Sequence, residues 1–109
     1  MVMTYQKQEM TGIITLNRPE VHNALNTELS QKLKAAWQDF KRDPEMRVLV
    51  VAGAGGKAFC VGADVKERSK NSDPHVKDFW TVDFKLPMRE TEFYKPVIAA
   101  IDGYCLGGG

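Results

Sequence analysis

The chain carries almost no charge excess of either sign: 15 Lys and Arg stand against 14 Asp and Glu. A general nucleic-acid binder needs a basic surplus to neutralise phosphates, so nucleic acid is not expected as a partner. No apolar run approaches the roughly 18 residues of a membrane span, so no membrane partner is expected either. The opening residues 1–9 lack the apolar core of a signal peptide. Cysteine is scarce, with only Cys60 and Cys105. Two cysteines make no disulfide framework, and reduced thiols in a cytoplasmic protein are the expected state. Neither lies in a CxxC, and no His/Cys/Asp group has metal-ligand spacing, so no metal is expected. Cys105 has no evident partner His for nucleophilic work; both cysteines read as small buried residues. No repeat, low-complexity tract or linker divides the chain. At 109 residues it is one domain at most, residues 1–109, with a modest core.

What is present is ordered punctuation between apolar runs. Residues 2–8 and 13–16 read as short strands joined by a turn at Thr11-Gly12. Residues 17–20 form a loop, because Pro19 cannot donate to a ladder. Asn26 or Thr27 can cap a helix with Glu28 in its first turn. Leu29, Leu33, Ala36, Trp37 and Phe40 then make one apolar stripe. Asp43-Pro44 stops that helix. Val48 to Ala52 is apolar without alternation, as expected of a strand covered on both faces in a βαβ unit. Gly53 to Gly56 is a turn. Asp64 can cap a short helix through Arg68. A breaker cluster at 71–74 precedes a longer helix from about His75 to Tyr94, kinked or divided at Pro87. Lys95-Pro96 opens a last strand over 97–101.

Two small-residue segments stand out. Ala58-Phe59-Cys60-Val61-Gly62-Ala63-Asp64 follows the first buried strand, and Asp102-Gly103-Tyr104-Cys105-Leu106-Gly107-Gly108-Gly109 follows the last. Two strands of one sheet, each ending in a Gly/Ala-rich turn, can aim two backbone N–H groups at one point, which is what an oxyanion needs. Phosphate binding is the competing reading. Gly56-Lys57 resembles the end of a P-loop, but Val51 and Ala58 stand where Gly and Ser/Thr are required. Gly53-x-Gly55-x-x-Ala58 matches a dinucleotide fingerprint better, yet Phe59 to Gly62 is a poor helix start and no acidic strand end follows.

Taken together the segments resemble the crotonase, or enoyl-CoA hydratase/isomerase, superfamily. Residues 14–26, which include Asn17-Arg18-Pro19 and His22-Asn23-Ala24-Leu25, look like its opening strand and loop. Residues 48–53 look like its next buried strand. Residues 57–66 and 95–109 are similar to its two signatures, in order, so the resemblance covers almost the whole chain. It implies an α/β fold, a spiral of ββα turns of which this chain holds the N-terminal part. It implies that the N–H groups of Ala63 and Gly108 form an oxyanion hole for an acyl-CoA thioester, with CoA as part of the substrate and no separate cofactor. Gly107 to Gly109 would open a helix whose dipole adds positive potential there. Val61, Gly62, Asp64, Val65, Lys66 and Gly107 match substrate-binding positions, and His22 matches one that can face CoA phosphates. A homo-oligomer, a trimer or a dimer of trimers, is implied as well.

Simpler roles stand beside these. The glycines can serve tight turns, Asp64 can be only a cap, and His22 only a loop residue. Lys57, Lys66, Arg68 and Lys70 can line CoA phosphates or form a solvated face with Glu67. Phe79, Trp80, Phe84 and Met88 can be core or can cover an acyl chain. The family's acid/base carboxylates lie beyond the second signature, and Glu90 and Glu92 match no catalytic position. The expectation is therefore the N-terminal part of an acyl-CoA enzyme; the alternatives are an assembly module of the same fold without catalysis, or a dinucleotide-binding βαβ unit.

Overall fold

The computed structural model describes residues 1–70 and 95–109. The expected helix over 75–94, its aromatics and the 71–74 breaker cluster lie outside those residues. β1 (Met3–Gln8) and β2 (Thr11–Leu16) pair antiparallel in register from Met3↔Leu16 to Gln8↔Thr11. The hairpin turn is therefore Glu9-Met10, two residues before the expected Thr11-Gly12, with Glu9 at φ 56°. Thr11 and Gly12 instead belong to the ladder, where Gly12 faces the core and leaves room for Phe40.

α1 (Thr27–Arg42) carries the chain from β2 to β3 (Val48–Gly53), which pairs parallel with β2. Asn26 caps α1, its side-chain oxygen accepting from the Leu29 N–H at 2.8 Å. An Asn oxygen there satisfies one of the donors that a helix start leaves over. The stripe read from the sequence turns inward: Leu29, Ala36, Trp37 and Phe40 are buried, and Leu33 packs at their edge. They meet Ile14 and Leu16 of β2 and Leu49 of β3 in one cluster that also takes in Met3 and Met46. β3 is less covered than expected. Leu49 is fully buried, but Val48, Val50, Val51 and Ala52 are only half-buried among the described residues. α1 shields one face of the sheet, and the other has no helix on it within those residues.

Past β4 (Ala58–Cys60) and α2 (Val65–Lys70) comes β5 (Val97–Ala100), which pairs parallel with β3 from Leu49↔Val97 to Ala52↔Ala100. The sheet order is β1-β2-β3-β5. Lys95 anchors the start of β5: its ammonium donates to the carbonyls of Phe40 at 2.8 Å and Asp43 at 2.7 Å. Those carbonyls lie at the C-terminal end of α1, where a cation is favoured. The expected strand over 97–101 ends at Ala100, and β6 (Tyr104–Cys105) follows.

Among the described residues Phe40 is the largest fully buried side chain. Phe40→Ala is expected to lower the unfolding free energy by about 3–5 kcal/mol, measured by urea denaturation.

Candidate functional site

β3 and β5 are parallel neighbours, so the chain leaves both at the same end of the sheet. The two segments that follow do not remain turns, as expected, but pair with each other. β4 and β6 form a second, two-stranded parallel sheet with Ala58↔Tyr104 and Cys60↔Cys105, the register shifting between Ala58 and Cys60. Backbone bonds extend it at both ends: Tyr104 N–H to Lys57 carbonyl at 3.1 Å, and Leu106 N–H to Cys60 carbonyl at 3.0 Å. Strands of three and two residues are too short to show alternation, which is why the sequence pattern hid them. Because Ala58 lies in β4, no helix opens inside Gly53-x-Gly55-x-x-Ala58, and the dinucleotide fingerprint lacks its helix.

Beyond β4 the chain meets the first loop. Leu25 N–H donates to Gly62 carbonyl at 2.7 Å, and Asp64 N–H donates to Leu25 carbonyl at 3.0 Å. This is a parallel bridge between Leu25 and Ala63. Leu25 uses both its own groups on the neighbours of Ala63, so the N–H and carbonyl of Ala63 itself point to the opposite side. Gly108 lies beside this strand. Gly62 sits at φ +88°, and a Cβ placed on it would fall 3.0 Å from the Gly108 nitrogen. Gly62 thus permits both its own left-handed backbone and the approach of the second segment. Gly109 approaches as closely, since a Cβ there would collide with the Cys60 carbonyl. Residues 106–109 form a turn closed by Gly109 N–H to Leu106 carbonyl at 2.9 Å. Among the described residues, neither the Ala63 N–H nor the Gly108 N–H donates to an internal acceptor. Two neighbouring backbone donors without internal partners can receive an oxygen that gains negative charge.

A buried polar hub holds the first loop against this site. Asn23 has 0% exposure and φ 58°. Its carboxamide oxygen accepts from Arg18 N–H at 2.8 Å, and its nitrogen donates to the carbonyls of Ala54 at 3.1 Å and Ala58 at 3.0 Å. The Arg18 guanidinium donates to Ala24 carbonyl and, through both terminal nitrogens, to Asp64 Oδ2 at 3.1 Å. The paired side chains are 13% and 12% exposed, so solvent screens them little. The other oxygen of Asp64 caps α2, accepting from Lys66 N–H at 3.1 Å and Glu67 N–H at 3.2 Å. Burial alone would raise the Asp64 pKa, but the Glu67 N–H, the Arg18 guanidinium and the Lys66 N–H outweigh it and hold the carboxyl below its ordinary value. Glu67 in turn accepts from Thr27 N–H at 2.9 Å and Thr27 Oγ1 at 2.7 Å, joining α2 to the start of α1.

Arg18 and Asn23 had no role assigned from sequence. The available signal was a lone Asn in the Val21 to Leu25 stretch, of a type that tolerates left-handed backbone and can bond both ways. Of the expected site residues, Val61, Gly62, Ala63, Gly107 and Gly108 are brought together. His22 sits on the exposed side of the loop with its ring 6.4 Å from Tyr104, edge to face. Val65 and Lys66 open α2, and Val65 is 71% exposed. Lys57 is exposed, while the side chains of Arg68 and Lys70 lie outside the described residues. Cys60 is buried as expected, its thiol donating to Asn23 carbonyl at 3.2 Å, and burial pushes its pKa up. Cys105 departs from expectation: it is exposed, because β6 lies at the margin of the small sheet. Among the described residues no group of His, Cys, Asp and Glu could hold a metal, and no helix is long and apolar enough to cross a membrane.

The family profile described as Enoyl-CoA hydratase/isomerase matches residues 11–109. A 3-hydroxyisobutyryl-CoA hydrolase, mitochondrial, from Gallus gallus is 38% identical over 107 residues, covering 95% of this chain and 28% of its own length. The (E)-benzylidenesuccinyl-CoA hydratase of Thauera aromatica is 36% identical over 109 residues, covering 100% of this chain and 42% of its own length. The crystal structure of carnitinyl-CoA hydratase from Mycobacterium avium superposes with a TM-score of 0.82 at 32% identity, over 99% of this chain and 41% of that one. The chain thus spans less than half the length of these relatives.

Asn23→Ala would leave a buried N–H and two carbonyls without their partners. It is expected to cost about 3 kcal/mol, read as a lower midpoint in urea. Asp64 contributes stability that is fully present above its unfolded pKa of about 3.9 and is lost as pH falls through its lower folded value. Asp64→Asn keeps a capping oxygen without the charge on Arg18. Its unfolding free energy should therefore fall less steeply than the native protein's below about pH 4, as followed by acid titration of tryptophan fluorescence.

Proposed function

This chain belongs to the enoyl-CoA hydratase/isomerase family, and we propose that it supplies the thioester-activating half of an acyl-CoA enzyme. The N–H groups of Ala63 and Gly108 are the donors, and the thioester carbonyl oxygen is their target. The observation that carries this reading is the close approach of the Gly108 nitrogen to Gly62, where a Cβ would leave only 3.0 Å, beside the pairing of β4 with β6.

The chemistry follows from charge. When a base removes the α-proton of an acyl-CoA, or a nucleophile adds at the β-carbon of an enoyl-CoA, an electron pair moves onto the thioester oxygen. Two fixed N–H groups stabilise that enolate more than the neutral carbonyl, which lowers the barrier rather than only tightening binding. The donors are backbone groups on paired strands, so they need no reorganisation as charge develops. The relatives named as hydratase and as hydrolase both have acyl-CoA compounds in their names. The visible half is compatible with either outcome, since the carboxylates that would choose between them are expected past Gly109.

CoA enters as part of the substrate, with no separate cofactor in the proposal. His22, Val61, Gly62, Asp64, Val65, Lys66 and Gly107 are proposed to line its path. Both oxygens of Asp64 already have partners, so its proposed part is to set the shape of the turn next to the ligand. The chain is proposed as the N-terminal part, residues 1–109, of one domain in a cytoplasmic homo-oligomer, a trimer or a dimer of trimers. The oligomer is proposed from likeness to the family.

Gly108→Pro deletes one of the two donors, the Gly108 N–H. In the full chain, turnover of an enoyl-CoA is expected to fall by a factor of about 100, near 3 kcal/mol of transition-state stabilisation. The thermal midpoint should move little. Unchanged turnover in the folded variant would refute the assignment of Gly108.

A further inference from the structure

We infer that Arg18 is the positioning residue for the Ala63 amide, an inference that rests on the donor role proposed for that amide. The bridge to Leu25 sets the orientation of Ala63 through the two bonds that flank it, Leu25 N–H to Gly62 carbonyl and Asp64 N–H to Leu25 carbonyl. Those bonds orient the amide only if Leu25 and Asp64 are themselves fixed. One guanidinium fixes both. It donates to the Ala24 carbonyl, immediately before Leu25, and to Asp64 Oδ2, immediately after Ala63. Arg18 thus spans the two paired segments one residue away from the bridge on each.

Its own base is held. Arg18 N–H donates to the Asn23 carboxamide at 2.8 Å, and its carbonyl accepts from Val21 N–H at 3.1 Å and Asn23 N–H at 2.8 Å. The guanidinium is planar and forked, so its donors keep a fixed mutual angle that a lysine ammonium does not. The cap of α2 uses the other oxygen of Asp64 and does not need Arg18. Loss of Arg18 therefore leaves α2 capped and releases the Leu25–Ala63 bridge to shift. A shift of about 1 Å at a positioned group can cost two orders of magnitude in rate while leaving distant binding contacts unchanged.

The test compares Arg18→Met with the native full chain, using crotonyl-CoA labelled with carbon-13 at the thioester carbonyl. Isotope-edited infrared spectroscopy reads carbonyl polarisation directly. The native protein should bind the probe and shift the carbonyl stretch to lower frequency. Arg18→Met should lose most of that shift and at least about tenfold in kcat, with the dissociation constant within about threefold. Arg18→Lys should recover only part of the shift. If Arg18→Met does not fold, Asp64→Asn, which retains a capping oxygen, should show the same loss. A variant that folds and keeps the full carbonyl shift overturns the inference and leaves the donor assignment standing. A native protein that binds crotonyl-CoA without shifting its carbonyl, or does not bind it, overturns the donor assignment and the inference with it.

Discussion

Parallel pairing of Val48–Gly53 with Val97–Ala100 is the constraint on which the rest of the molecule depends. Parallel neighbours end on the same side, so whatever follows each strand emerges beside whatever follows the other. Here small residues follow both, and they pair again as Ala58–Cys60 against Tyr104–Cys105. Side chains larger than hydrogen at Gly62 or Gly109 would press on the Gly108 nitrogen and the Cys60 carbonyl. The amides of Ala63 and Gly108, which have no internal acceptor among the described residues, are thus brought near each other for a topological reason. Residues 45 positions apart in sequence would not otherwise meet.

A second layer of control lies in the first loop. Asn23 is buried with every hydrogen-bonding atom of its side chain in use, and Arg18 and Asp64 are paired where water is largely excluded. Buried polar groups are costly when partly satisfied and specify one arrangement when fully satisfied. This set ties residues 18–25 to the turn after β3, to β4 and to the cap of α2. The apolar cluster under α1 supplies the burial that holds the sheet together. The polar set decides where the loop sits on it, and therefore which way the peptide of Ala63 faces.

Sequence pattern and structure agree where periodicity or capping chemistry is strong. Leu29, Ala36, Trp37 and Phe40 form the stripe their spacing implies, with Asn26 as its cap and Asp43 at its end. Asp64 caps α2 as its position suggested. Gly12 carries the usual turn signal, yet the turn falls at Glu9-Met10. Gly12 is instead small to admit Phe40, a tertiary reason that local propensity does not express. β4 and β6 were illegible as strands because they exist only through their mutual pairing. The hub at Arg18 and Asn23 was illegible because its partners, Ala54, Ala58 and Asp64, are distant in sequence. The two signatures, by contrast, were readable as a pair, and with them the family.

The proposed function rests on one chemical idea, an oxygen received by two backbone donors that two separate strands bring together. A crystal structure of the full chain with a bound acyl-CoA tests it most directly. The account predicts the thioester oxygen within about 2.7–3.1 Å of both the Ala63 and Gly108 nitrogens. An acyl-CoA bound with that oxygen against other groups, or in reach of only one of the two amides, would contradict it.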